Sequence, residues 1–156
     1  MGIVRKIAQA RAESPITTTG RFAEIVRSGL RPRHGSKTDP ATKTFQALRI
    51  AVNDELGALD ALLASVGRTA ERSAKGETAG LWLRPGARVG IISFHSLEDR
   101  RVKRAVAGWV SAGWVQDLIG GAAEAGPNEI AGNPRSRSAK FRAVRLLGVT
   151  DARGSL

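Results

Sequence analysis

The residues of this chain best suited to chemistry lie in one short run: Ser93, His95 and Ser96. Histidine is the side chain whose ordinary titration falls near neutral pH, so it can take, give or orient a proton there. The neighbouring hydroxyls both donate and accept hydrogen bonds. What must position these groups is the segment Arg88–Arg101. Val89, Ile91 and Ile92 make an apolar run of strand length, rich in β-branched residues. Ser96 is a good helix N-cap, and Glu98 and Asp99 in the next turn favour the positive end of a helix dipole. Beyond them Val102, Ala105, Val106, Trp109 and Val110 keep one apolar helical face. His95 therefore stands at the carboxyl end of a strand, where open α/β sheets place their ligand crevice. A plainer reading stays open: a capped strand-to-helix turn with an incidental histidine.

Three further sets of residues invite a binding reading. Gln46, Arg49 and Asn53 are three and four residues apart, so they share one helix face, and all three donate hydrogen bonds. They could grip a base or a phosphate, or simply be solvated. Residues 131–150 contain five Lys/Arg and no acid. Within them Arg135, Arg137, Lys140 and Arg142 are the best electrostatic candidates for phosphate contacts, with a solvated loop as the alternative. Arg100 and Lys103, on the helix that follows His95, complete the candidate RNA-binding set. Gly120-Gly121 and Gly126-Pro127 are not a phosphate cradle, since no Gly-Lys-Ser/Thr follows them. No metal site is expected: cysteine is absent, and His34 and His95 are far apart.

The surrounding elements follow from periodicity and breakers. Ile3, Val4, Ile7 and Ala8 predict a short amphipathic helix that Ser14-Pro15 ends. Thr17-Thr18-Thr19 offers caps for a second helix bearing Phe22, Ile25 and Val26, closed by Gly29. The basic loop Arg31–Lys37 marks a boundary. A single long helix is then expected, capped by Asp39 or Thr42, with an apolar stripe from Phe45 through Leu48, Val52, Leu56, Leu59, Leu62 and Leu63 to Val66. Residues 68–80 read as a surface insertion with little order, and residues 116–132 as a flexible loop. From Phe141 to Leu147 a second strand is expected, with Phe141, Ala143 and Leu147 on one side.

Bulk properties bound the partners. With 156 residues and 42% hydrophobic content the chain suits one domain or part of a larger one. The net charge of +11, from 25 basic and 14 acidic residues, points to a polyanion. No apolar run has the ~20 residues of a membrane span, nor does the N-terminus read as a signal peptide, so a cytoplasmic protein is expected.

Four segments, in order, carry a resemblance. Ile7-Ala8-Gln9-Ala10-Arg11 with Pro15-Ile16-Thr17-Thr18-Thr19 is similar to a helical insertion of the MraW (RsmH) family of ribosomal RNA methyltransferases. The run Pro40–Leu56, the run Ile92–Arg100 and Asn133-Pro134-Arg135-Ser136-Arg137-Ser138-Ala139-Lys140 resemble that family's signatures. The resemblance implies transfer of a methyl group from S-adenosylmethionine to the exocyclic N4 amine of a cytosine in small-subunit ribosomal RNA. It implies an α/β fold: the C-terminal portion of a Rossmann-like class I methyltransferase with part of an α-helical insertion. Residues 1–38 would belong to the insertion, 39–150 to the C-terminal half of the catalytic core, and 151–156 to a tail. His95 and Ser93 would orient the flipped base, with Gln46, Arg49 and Asn53 reading its edge or holding the flanking phosphate. Departures accompany the match. The chain has no strand with a Gly-x-Gly turn and no Pro-Pro pair, so no residue here is expected to bind the cofactor in its usual place. The expectation is a fragment, truncated or split, that is inactive alone and needs a missing N-terminal half or associates with itself. The alternative is a non-catalytic basic RNA-binding module derived from such an enzyme. Either way the partner is the 30S subunit or its RNA.

Overall fold

The computed structural model describes residues 2–30 and 39–149, and within them the chain divides into two compact units, residues 1–55 and 56–156. The basic loop of residues 31–37, His34 included, and the tail of residues 151–156 lie outside the described residues.

The first unit is helical. Helix α1 (Gly2–Glu13) ends before Pro15, and α2 (Thr19–Ser28) starts at Thr18, whose hydroxyl accepts the Arg21 N–H at 3.2 Å. Gly29 closes α2, as its position after Val26 predicts. Helix α3 (Thr42–Asn53) has Ala41 at its N-cap. Asp39, two residues earlier, accepts the Ala41 N–H at 2.8 Å, and Arg27 pairs with the same carboxylate. Val26, Ala23 and Ala41 are buried among Ile3, Ile7, Phe22, Leu30 and Phe45. Phe22 and Phe45 meet edge to face at 5.2 Å, which ties α3 to α2.

The expected long helix is broken. Asp54 adopts left-handed geometry at φ 47°, α3 stops at Asn53, and α4 begins afresh as Glu55–Ala74. Aspartate visits that region more readily than most residues, and the apolar stripe on either side hides the break.

In the second unit the apolar residues form one core. Leu63, Val66 and Ala70 of α4 meet Val102, Val106 and Trp109 of α5 (Ser96–Ser111). Strand β1 (Arg88–Ser93) enters from the turn at Gly86, where φ is +80° and the N–H bonds Leu146 O at 2.9 Å. Strands β2 (Val115–Asp117), β3 (Ala123–Glu124) and β4 (Lys140–Leu146) complete the sheet, ordered β1-β4-β2 with β3 also on β4. All pairings are antiparallel; Ile91 stands opposite Arg142 and Ser93 opposite Lys140. β1 and β2 therefore run parallel to each other, joined by α5 and separated by β4. This is a mixed α/β architecture.

Several expectations are corrected here. Residues 68–74 are the last turns of α4, with Thr69, Ala70 and Ser73 buried, not part of a loose insertion. Residues 116–132 hold β2, β3 and the short helix α6 (Pro127–Gly132), all too brief to show a period. On β4 the core residues are Val144 and Leu146, so Phe141 and Ala143 face the other way; Leu147 lies past the strand. No helix among the described residues is long and apolar enough to cross a membrane.

Candidate functional site

The corner between β1 and α5 is built by its own sequence. Val89, Ile91 and Ser93 point to the helix-covered side of the sheet, and Ser93 is only 2% exposed. His95, not Ser96, is the N-cap of α5, with extended backbone at φ −142° and ψ 160°. Its Nδ1 accepts the Glu98 N–H at 3.3 Å. Glu98 reaches back, its Oε2 accepting the N–H groups of Phe94 at 2.9 Å and His95 at 3.3 Å. That reciprocal arrangement is a capping box in which imidazole replaces the usual hydroxyl. With Nδ1 an acceptor, a neutral His95 carries its proton on Nε2. Nε2 lies buried 3.0 Å from Glu98 Oε1, not aligned as a hydrogen bond.

Behind the corner stands an ion pair that the sequence does not announce. Arg142 of β4 donates from Nε and Nη2 to one oxygen of Asp99, at 3.1 and 3.0 Å. Asp99 follows Glu98 in the first turn of α5, and its own N–H donates to His95 O at 3.1 Å.

The other candidate residues fall into separate groups. Arg100 and Lys103 are exposed on α5. Arg135 and Arg137 are exposed in the 3-10 turn Pro134–Ser138, and no ion pair holds them among the described residues. Ser136 between them is buried, and its hydroxyl donates to Asn133 O at 2.8 Å, so the turn is pinned while both guanidiniums point outward. Lys140 pairs with Glu124 across β3 and β4 at 3.0 Å, both side chains well exposed. On α3, Arg49 holds both carboxylate oxygens of Glu55, at 2.7 and 3.1 Å, and Asn53 donates to Glu55 at 3.3 Å. Gln46 lies half-buried on the same helix.

Sequence reasoning missed Glu98 as a partner of His95, Glu55 as the focus of Arg49 and Asn53, and Asp99 as the partner of Arg142. Only the first had a local signal, the three-residue spacing of a capping box.

The corner thus offers a largely buried imidazole with a fixed tautomer, beside the Glu98 carboxylate and an exposed Phe94. Nδ1 is taken by the Glu98 N–H and Nε2 is buried, so the imidazole can orient a polar ligand edge only once the corner opens. The Glu98 carboxylate sits just before the helix, on the N–H groups of Phe94 and His95, and its negative charge there disfavours a bound anion.

The chain is similar to known proteins over most of its length. The chain is 48% identical over 96% of its length to the ribosomal RNA small subunit methyltransferase H of Deinococcus deserti, covering 44% of that protein. Against the proteins of the same name from Granulibacter bethesdensis and Paenibacillus sp., identity is 44% and 40% over 93% of the chain, covering 44% and 47% of them. The chain therefore spans less than half the length of these relatives. The family model described as the MraW methylase family matches residues 1–147, and this chain belongs to that family.

Proposed function

We propose that this chain is the RNA-facing portion of a methyltransferase that acts on the exocyclic N4 amine of a cytosine in 16S ribosomal RNA within the 30S subunit. The observation that carries the reading is the family match over residues 1–147, which includes the whole β1–α5 corner. The family's chemistry implies S-adenosylmethionine as methyl donor. The described residues do not fit as its cradle: no glycine-rich turn follows β1, and the Glu98 carboxylate already sits on the N–H groups of Phe94 and His95 where β1 ends. The cofactor would be held by a further polypeptide segment, equivalent to what the relatives carry beyond the matched length.

In this reading the chain's own residues bind and align. A cytosine amine is a weak nucleophile because its lone pair is conjugated with the ring, so alignment matters more than a strong base. The His95 corner orients the flipped base once Nε2 is freed from beside Glu98, with Ser93 buried at the end of β1 as a support. Arg135 and Arg137, with Arg100 and Lys103, hold backbone phosphates. Gln46, Arg49 and Asn53 contact flanking nucleotides, which requires Arg49 to exchange Glu55 for its ligand. The fold assignment that goes with this is the C-terminal part of a Rossmann-like methyltransferase, preceded by part of a helical insertion, in the cytoplasm.

The end position of β1 in the sheet supports a missing segment. Its outer edge pairs with no strand among the described residues, and Ile92 and Phe94 beside it are exposed. Calorimetry with S-adenosylmethionine, followed by methyl incorporation into 30S subunits, tests the reading. The chain alone is expected to bind no cofactor and transfer no methyl, and to do both when the complementary segment is supplied. Methyl transfer by the chain alone would refute the division of labour.

A second reading is favoured by Arg135 and Arg137, outward and without acidic partners among the described residues: a non-catalytic RNA-binding module. RNA binding that persists while no complementary segment restores methyl transfer would select it.

A further inference from the structure

We propose that Arg142 is a positioning residue for the β1–α5 corner, acting through Asp99 rather than on a phosphate. Its catalytic meaning rests on the function proposed above, but the geometry behind it does not. Arg142 sits on β4 opposite Ile91, on the face that carries Val144 and Leu146 into the core. A guanidinium placed to meet phosphates stands in solvent, as those of Arg135 and Arg137 do. The Arg142 side chain is only 10% exposed, and that of Asp99 only 17%.

The corner needs such a tie. Every bond of the capping box is local, made between residues at most four apart. Those bonds fix the turn internally, and the backbone pairing of β1 with β4 stops at Ser93, opposite Lys140, before the turn begins. Arg142 joins it to β4, 43 residues away in sequence, with two N–H groups converging on one oxygen of Asp99. Two donors on one acceptor set direction as well as distance, which a point charge on a flexible stem does not. Because the Asp99 N–H also bonds His95 O, a movement of Asp99 is felt directly at the histidine. Arg101, two residues on, ties α5 to Asp60 of α4, but that pair is much more exposed.

The experiment reads the ring nitrogens of His95 by NMR in the ¹⁵N-labelled chain, the signals separated from those of His34 by His95→Asn. The wild-type chain is expected to show an acceptor Nδ1 and a protonated Nε2. Arg142→Gln is expected to move His95 towards a mixture of tautomers, and Arg142→Lys to recover only part of the original pattern. Asp99→Asn, which keeps the shape and removes the charge, should shift the same signals and guards against a poorly folded Arg142→Gln. Binding of a short single-stranded RNA should keep its salt slope in Arg142→Gln. Unchanged His95 nitrogens in both variants, whatever the fall in melting temperature, would reduce Arg142 to a strut. A slope lower by about one would make it a phosphate contact. None of these signals depends on turnover, so failure of the methyltransferase reading would leave them intact and be seen separately.

Discussion

His95 illustrates how one side chain can carry structure and chemistry together. Its Nδ1 caps α5, so His95→Ala leaves the Glu98 N–H without its acceptor and should cost about 1 kcal/mol in denaturant unfolding. Asparagine also caps well, so His95→Asn should fold within a few tenths of a kcal/mol of the wild type. If the imidazole orients substrate, both variants lose turnover in the reconstituted enzyme; if it only caps, His95→Asn keeps it. The sequence showed this residue and its place at the strand end, but not its role as cap, because Ser96 beside it is the more familiar capping type. At Asp39 the prediction concerns pH. The hydrogen bond from Arg27, followed by that from the Ala41 N–H, holds the Asp39 carboxyl below the usual carboxylate range. A lowered folded value means the stabilisation is complete above the ordinary value of about 4 and is lost as pH falls through the lowered one. Amide exchange in α3 should thus accelerate in that acid range, weakly and in a salt-sensitive way because the pair is exposed, and Asp39→Asn should remove the dependence.

At the scale of elements, what was legible depended on how large the buried residues are. Strand β1, helix α5 and strand β4 announce themselves through Val, Ile, Leu and Trp at the right period. The last turns of α4 bury Gly67, Ala70 and Ser73 instead, small residues that leave no hydrophobic period to read. Their smallness is required. A Cβ on Gly67 would come within 2.6 Å of Trp109 Nε1, so α4 approaches the α5 indole only because that Cβ is missing. Gly67→Ala should therefore destabilise the second unit by about 1–3 kcal/mol despite its better helix propensity, as melting of the variant would show. The Ser73 hydroxyl adds a bond to Leu147 O at 2.8 Å, which anchors the end of α4 to the chain leaving β4. The break at Asp54 was illegible for the opposite reason: large apolar residues continue across it in step and outweigh the mild leaning of aspartate towards positive φ. The pairings of Arg49 with Glu55 and Arg142 with Asp99 lie outside any local pattern, so only the fold reveals them.

On the scale of the whole molecule, the sheet has one face covered and one that is not. Val89, Ile91, Val144 and Leu146 pack into the core, while Ile92, Phe94 and Phe141 of the opposite face remain 57%, 56% and 38% exposed. Phe141 lies against Gly90, where an added Cβ would come within 2.7 Å of its ring, so the exposed side of β1 and β4 is closely fitted rather than loose. Apolar surface of this kind beside an unpaired strand edge favours association between chains. The high positive charge opposes it by mutual repulsion, and salt screens that repulsion. The balance makes a directional prediction: sedimentation of the isolated chain should show association that grows with protein concentration and with ionic strength. Ile92→Lys with Phe94→Ser removes apolar area from the uncovered face and leaves the core face untouched, so it should shift the population towards monomer without lowering the melting temperature. Association that weakens as salt is added, or that survives the double substitution unchanged, would place the contact on the charged surface instead of the sheet.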